Sequence, residues 1–233
     1  MVLVFYCELL SQPCRALYIF LKLNNIPFQP KMMDLMRGEN YDEEFRKVSP
    51  IGRLPVIDDG GFILTECVAI MKYLALKYNV ADHWYPRTDL RAQARIDEYL
   101  SFQHANTRNN MAMLFQNLEL LPTMMNKPIN WTKVERYRNA VGGVIKTIDE
   151  YFLREKRQFL AGDSISIADI VGICEMMQLY ACCEEHFMES NPNVNDWMGR
   201  VKQELAPYFE EANVKVYKTR DHFLKTAKPQ QKE

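Results

Sequence analysis

The six cysteines of this 233-residue chain form no C-x-x-C pair and no metal-ligand spacing, which argues against a bound metal or a C-x-x-C redox motif. Cys182 and Cys183 are adjacent, poor geometry for an internal disulfide. Free, mostly buried thiols in a reducing compartment are expected, and with them a cytoplasmic location. Charge of one sign is scarce as well. Lys and Arg number 29 and Asp and Glu 30, a formal charge of -1, so no overall basic field draws in nucleic acid. No apolar run reaches the roughly 18 residues of a membrane span. The N-terminus lacks the basic region and small-residue cleavage site of a secretory signal. Nine glycines and eleven prolines are too few for a low-complexity chain. With 48% hydrophobic residues, the length allows one large or two modest domains with real cores.

What is present begins at Val2. A short apolar run is followed by a turn at Leu10-Ser11-Gln12-Pro13. Helical spacing comes next, with Ala16, Leu17, Phe20, Leu21 and Leu23 on a broad apolar side. This predicts strand, turn, helix. Pro13 suits the first helical position, because its missing N–H would have no intrahelical partner there. Ser11 then stands at the mouth of a helix, where free N–H groups and the positive dipole end converge. Its hydroxyl can cap the helix, the commoner role and worth about 1 kcal/mol, or point outward and donate to an anion.

Phe28 to Leu35 reads as extended, and Pro30 argues for an edge position or a strand start. Asp42 to Val48 reads as one or two helical turns. Val56-Ile57 and Phe62-Ile63-Leu64 flank Asp58-Asp59-Gly60-Gly61, a hairpin signal. Pro55 precedes the first of these runs. A trans bond is the default there; a cis bond would turn the Leu54 N–H and C=O outward, toward another peptide backbone. Thr65 to Tyr78 starts a third helix. Glu66 at its start suits the helix dipole; alternatively, the N–H groups of Cys67 and Val68 could hold a carboxylate while Glu66 pairs with an ammonium.

Residues 81–89 are rich in turn formers and aromatics and read as a linker between domains at 1–80 and 90–225, with Trp84 and Tyr85 packing between them. One long helix is expected over 89–118 and another over 131–157. Gly142 and Gly143 lie inside the second, which suggests close packing against a backbone or a kink. Ser166 and Asp169 have capping-box spacing, with Asp in place of the usual Glu or Gln. They open an apolar run from Ile170 to Cys182 that reads as a central buried helix. Pro207 divides the last two helices, and 226–233 reads as a mobile tail.

Strand, helix, strand, helix, hairpin, helix is the thioredoxin-like order. Leu10-Ser11-Gln12-Pro13-Cys14-Arg15-Ala16, Arg53-Leu54-Pro55-Val56 and Glu66-Cys67-Val68-Ala69-Ile70 resemble the glutathione S-transferases, and the likeness runs over nearly the whole chain. The Ser-Gln-Pro-Cys-Arg stretch and Asp82-His83-Trp84-Tyr85-Pro86 resemble the theta class in particular. The resemblance implies an α/β plus all-α architecture: a thioredoxin-like N-terminal domain (βαβαββα) and an all-helical C-terminal domain carrying the electrophile site. It implies a homodimer that conjugates reduced glutathione, as co-substrate, to small hydrophobic electrophiles such as alkyl halides or organic peroxides, with no cofactor, no metal, no nucleic acid and no membrane.

It also implies roles for residues. Ser11 would donate its hydroxyl to the glutathione sulfur. Leu54, held by Pro55, would pair with the cysteinyl backbone. Glu66 and the helix start at Cys67 would take the γ-glutamyl end, and Arg53, with help from Asn40, the glycyl carboxylate. His104 lies where a partner subunit could reach the γ-glutamyl group, although a lone helical His is more often plain surface. Arg108 would meet the thiolate or the substrate. Met111, Met113 and Phe115 would line the electrophile pocket, with core packing the safer reading. Pro55, Ser166 and Asp169 are structural. Cys67 departs from the family's usual Ser and is a weaker donor. Asn40 stands where some theta enzymes carry His, and Arg53 replaces the commoner Lys. Many theta enzymes carry a longer C-terminal segment, so a more open pocket is expected. Two other readings share the fold: a non-catalytic protein-interaction module and a thiol transferase acting through Cys14. Ser11, Arg53 and Glu66 together favour conjugation, while Cys67 leans slightly toward the module.

Overall fold

The computed structural model describes residues 2–226. Residues 227–233, nearly all of the expected tail, lie outside them, and Thr226 ends the last helix. The first domain runs β1 (Leu3–Cys7), α1 (Gln12–Leu23), β2 (Phe28–Met32), α2 (Glu43–Val48), β3 (Val56–Asp59), β4 (Phe62–Thr65) and α3 (Cys67–Lys77). The sheet order is β2-β1-β3-β4, with β1 parallel to β2 and antiparallel to β3. This is the expected βαβαββα thioredoxin-like unit. β2 is an edge, where Pro30 interrupts a ladder on one side only. The extended segment stops at Met32 rather than Leu35. There the Asp34 carboxylate accepts the N–H groups of Met36 and Arg37 at 2.9 and 3.1 Å and turns the chain. Asp58 closes the hairpin by accepting the Gly61 N–H at 2.8 Å. The Leu54–Pro55 bond is cis, not the default trans form.

The second domain is helical: α4 (Leu90–Gln103), α5 (Asn109–Phe115), α6 (Leu121–Met125), α7 (Trp131–Thr147), α8 (Ile167–Ala181), α9 (His186–Glu189), α10 (Pro192–Glu204) and α11 (Tyr208–Thr226). Asp89 caps α4 by accepting the N–H groups of Arg91 and Ala92. The long helix expected over 89–118 is continuous, but it runs on to Met125 and contains two π-helical turns, His104–Arg108 and Gln116–Leu120. The helix expected over 131–157 ends sooner. A π turn at Ile148–Phe152 gives way to Leu153 and to Glu155 in the left-handed region (φ 57°), which reverses the chain. Gly142 faces the Phe187 ring rather than a backbone.

α8 is buried along almost its whole length, as its apolar sequence requires. The Ser166–Asp169 capping box is formed, and Asp169 does more than cap. Its Oδ1 accepts the Leu160 N–H at 2.8 Å and the Trp197 indole N–H at 2.9 Å. At Gly172 a Cβ would stand 2.8 Å from the Tyr99 hydroxyl and 2.9 Å from Leu160, so the helix can approach that closely only without a side chain. The linker docks the domains together. Trp84 packs edge-on against Phe20, and its carbonyl accepts the Ile167 N–H at the start of α8.

Candidate active site

The turn between β1 and α1 carries Ser11. Glu8 shapes it twice: its Oε1 accepts the Leu10 N–H at 2.9 Å, and its carbonyl accepts the Ser11 N–H at 3.0 Å. Ser11 then occupies the N-cap of α1 in extended conformation, with no side-chain capping bond. The hydroxyl is therefore left for another acceptor, at a helix end that favours negative charge. Behind it, Arg15 is completely buried. Its guanidinium donates to the carbonyls of Leu9 and Leu10 at 3.1 and 2.8 Å. On the other side it donates to the Cys174 carbonyl and Gln178 Oε1 of α8, at 2.8 and 3.0 Å. Cys14 is also fully buried, and burial pushes its thiol up to about 11.

Two cavities flank the start of α1. The smaller, about 250 Å³, lies between the domains. Arg53, Leu54, Glu66 and Cys67 face it from the first domain, and His104 and Arg108 from the π turn of the second. The loop that presents Arg53 and Leu54 is stitched from below. Asn40 is buried and donates its amide to the Gly52 carbonyl at 2.9 Å, and the Ser49 hydroxyl donates to the Arg53 carbonyl at 3.3 Å. Gly52 takes φ +62°, and a Cβ there would stand 2.9 Å from the Asn40 carbonyl. Glu66 is exposed and holds φ 66°, ψ 107°, a sparsely populated conformation for a residue with a Cβ and typical of functional positions. Cys67 directs its thiol inward, to the Pro13 carbonyl at 3.2 Å. That contact sets the starts of α1 and α3 side by side. Arg108 sits 3.6 Å from the buried Glu175 carboxylate.

The larger cavity, about 900 Å³, is where Ser11 opens, together with Gln12. Its apolar wall comes from Met32 at the end of β2, Met33 and Met36 beyond it, and from Phe115 and Met124. Sulfur-rich, flexible side chains of this kind adapt to irregular apolar ligands.

The structure sets Arg53, Leu54, Glu66, Cys67, His104 and Arg108 around the smaller cavity and Ser11 on the larger one. It places three of the expected residues elsewhere. Asn40 lies beneath the Arg53 loop and along the larger cavity, its amide already engaged by Gly52. Met111 is fully buried in the core, and neither it nor Met113 lines either of these two cavities; Phe115 lines the larger. The Cys67 thiol is likewise committed to Pro13 and leaves only its N–H free for a ligand. Sequence reasoning passed over Glu8, Gln12, Arg15 and the three methionines. A charged residue inside an apolar helical stretch was the one signal for Arg15. The Met32-Met33-x-x-Met36 cluster was visible but had no assigned face.

Two family models match the chain: the glutathione S-transferase N-terminal domain over residues 10–76 and the glutathione S-transferase C-terminal domain over residues 118–204. Glutathione S-transferase theta-3 of Mus musculus is 39% identical over 95% of this chain and 91% of its own length. Theta-1 of Bos taurus is 40% identical over the same shares. Among solved structures, human glutathione transferase theta-2, in complex with glutathione and an unknown ligand, superposes with a TM-score of 0.90 at 36% identity, covering 97% of this chain and 92% of that one. A human theta-class enzyme bound to the glutathione conjugate of 1-menaphthyl sulfate gives 0.91 at 36% identity, with the same coverage. The two-domain architecture, the serine at the start of α1 and these likenesses agree throughout, and the chain belongs to the glutathione S-transferase family, in its theta class.

Proposed function

We propose that this glutathione transferase binds the tripeptide across the smaller cavity, keeps its sulfur ionised with the Ser11 hydroxyl, and aims it at a small apolar electrophile in the larger cavity. The observation that carries this reading is the Ser11 hydroxyl, free of a capping bond at the positive end of α1 and opening into that cavity. A free thiol of pKa about 8.5 is only about 3% thiolate at neutral pH. Making thiolate the major form takes about two units, or roughly 2.7 kcal/mol of preferential anion binding. A hydrogen bond to a charged partner supplies about 1.5–3 kcal/mol, and a helix N-terminus about 0.3–1 kcal/mol. Neither suffices safely alone, and both are available at Ser11. Attack by the thiolate then forms a carbon–sulfur bond as halide leaves; with a hydroperoxide it forms a sulfur–oxygen bond as the O–O bond breaks and alkoxide leaves, giving the sulfenic acid of glutathione.

The other contacts follow from charge and geometry. Leu54 offers its backbone to the cysteinyl peptide. Glu66 faces the γ-glutamyl ammonium, and the first amides of α3 the γ-glutamyl carboxylate. Arg53 takes the glycyl carboxylate. Asn40 acts by fixing the loop that carries Arg53. A homodimer is supported by the apolar side chains Phe62, Leu76 and Leu90, which stand 49%, 51% and 76% exposed. A cytoplasmic location is supported by six cysteines, all free. The thiol-transferase reading loses support from Cys14, which is buried and held protonated.

Ser11→Ala tests the proposal. The pKa of bound glutathione, read from ultraviolet thiolate absorbance, rises in the variant, and kcat/KM toward an alkyl halide falls about 10- to 150-fold, the worth of the lost hydrogen bond. Equal rates and an unchanged thiol pKa would remove Ser11 from the mechanism.

A further inference from the structure

Ser11 makes no capping bond, and among the described residues its side chain meets only the buried Cys14 thiol of α1, so its direction is set chiefly by the turn before it. That turn is held from the far end of the chain. Lys215, on α11, grips both carboxylate oxygens of Glu8, at 2.6 and 2.7 Å. The same carboxylate accepts the Leu10 N–H, and the Glu8 carbonyl accepts the Ser11 N–H. Glu8 is only 7% exposed. Without its cation, a carboxylate so buried has one backbone donor left and turns toward water. The Leu10 N–H then loses its acceptor. Glu8, Leu10, Ser11 and Lys215 all border the larger cavity.

We infer that Lys215 is a positioning residue for the reaction: through the Glu8 carboxylate it sets the Leu9–Leu10 turn and thereby aims the Ser11 O–H at the glutathione sulfur. The inference rests on the reading of Ser11 above. Two rival accounts of Lys215 make different predictions. Its charge could act on the sulfur directly, since it borders the same cavity. It could also simply dock α11 on the first domain, as Glu211 does by accepting the Tyr18 hydroxyl of α1.

The test uses the full-length protein, glutathione and a primary alkyl iodide. Bound-thiol pKa, kcat and KM are measured for Lys215→Met, Glu8→Gln, their double variant, Lys215→Arg, Glu211→Gln and Ser11→Ala. Lys215→Met and Glu8→Gln each raise the bound-thiol pKa by about one unit, a tenfold loss of thiolate. kcat falls in step, while KM for glutathione stays within about twofold. The double variant is no worse than either single one, because both break one coupled contact. Lys215→Arg restores the wild-type value, and Glu211→Gln never departs from it. If Glu8→Gln lowers the thiol pKa, the freed lysine acts on the sulfur directly and the positioning role is wrong. If Glu211→Gln matches Lys215→Met, the effect is general docking. A wild-type thiol pKa in Lys215→Met beside a raised one in Ser11→Ala overturns the inference alone. An unchanged pKa in Ser11→Ala overturns the reading beneath it.

Discussion

Glu175 is the sharpest case of a charge placed where water cannot reach. It lies on α8, 1% exposed, and its Oε2 has no hydrogen-bond partner among the described residues. Burial pushes its carboxyl from the usual 4.5 up to about 7, against the opposing pull of Arg108 and Arg15. Between those two values the folded chain keeps a proton that the unfolded chain has lost. Stability therefore falls as pH rises through that window, and the full cost is present only above about pH 7. A shift of that size corresponds to about 3 kcal/mol. Glu175→Gln keeps the shape and removes the titration. Arg15 retains its other four acceptors, and Arg108 is one-third exposed, so neither cation is stranded. The variant is expected to match the wild type near pH 4.5 and to exceed it by about 3 kcal/mol at pH 8. In a chain of this length that opens a gap of roughly 6–12 °C in Tm. Every other titrating group is common to both proteins, so the pH dependence of the difference isolates Glu175. A Tm gap that does not change with pH would refute the argument, and so would a variant less stable than wild type at pH 8.

Asp169→Asn should cost about 1.5–3 kcal/mol, the worth of a buried hydrogen bond to a charged group. Its four donors, on Leu160, Ser166 and Trp197, cannot all be satisfied by an amide. A lower urea midpoint at unchanged m-value, with glutathione affinity intact, is the signature. Cys14→Ala should leave conjugation unchanged and cost about 1 kcal/mol of stability, because the thiol is buried and protonated. A conjugation rate that collapses in this variant would return Cys14 to the mechanism.

What the sequence revealed was local. The Asp-Asp-Gly-Gly hairpin, the Pro30 edge strand, the Ser166–Asp169 box and the strand-turn-helix at Ser11 are each written within a few residues, where propensity and hydrogen bonding act without help from the rest of the fold. What stayed hidden depends on contacts between distant segments. Glu8 and Lys215 are 207 positions apart, and neither stands out in its own stretch. Asn40 differs from a ligand-facing residue only by where the Gly52 carbonyl falls. Met111 and Phe115 are four apart on one helical face and both are buried, yet only Phe115 also borders the larger cavity, because that depends on which distant segments pack beside it.

The dependence of Ser11 on distant residues has an electrostatic reason. A helix N-terminus alone attracts any anion weakly; keeping one sulfur ionised needs a hydroxyl held in a fixed direction, in a place partly shielded from water. Shielding means burying the groups that do the holding, and buried carbonyls and carboxylates need buried partners. Arg15 answers the carbonyls of Leu9 and Leu10, and Lys215 answers Glu8. Arg15 is itself tied to α8 through Cys174 and Gln178, and Lys215 belongs to α11. A guanidinium stays charged even when desolvated, so Arg15 also adds a positive field behind the serine. The turn that defines the first domain's chemistry is thus set by the second. On the proposed function, the helical domain therefore supports the backbone geometry of Ser11 as well as part of the wall of the larger cavity.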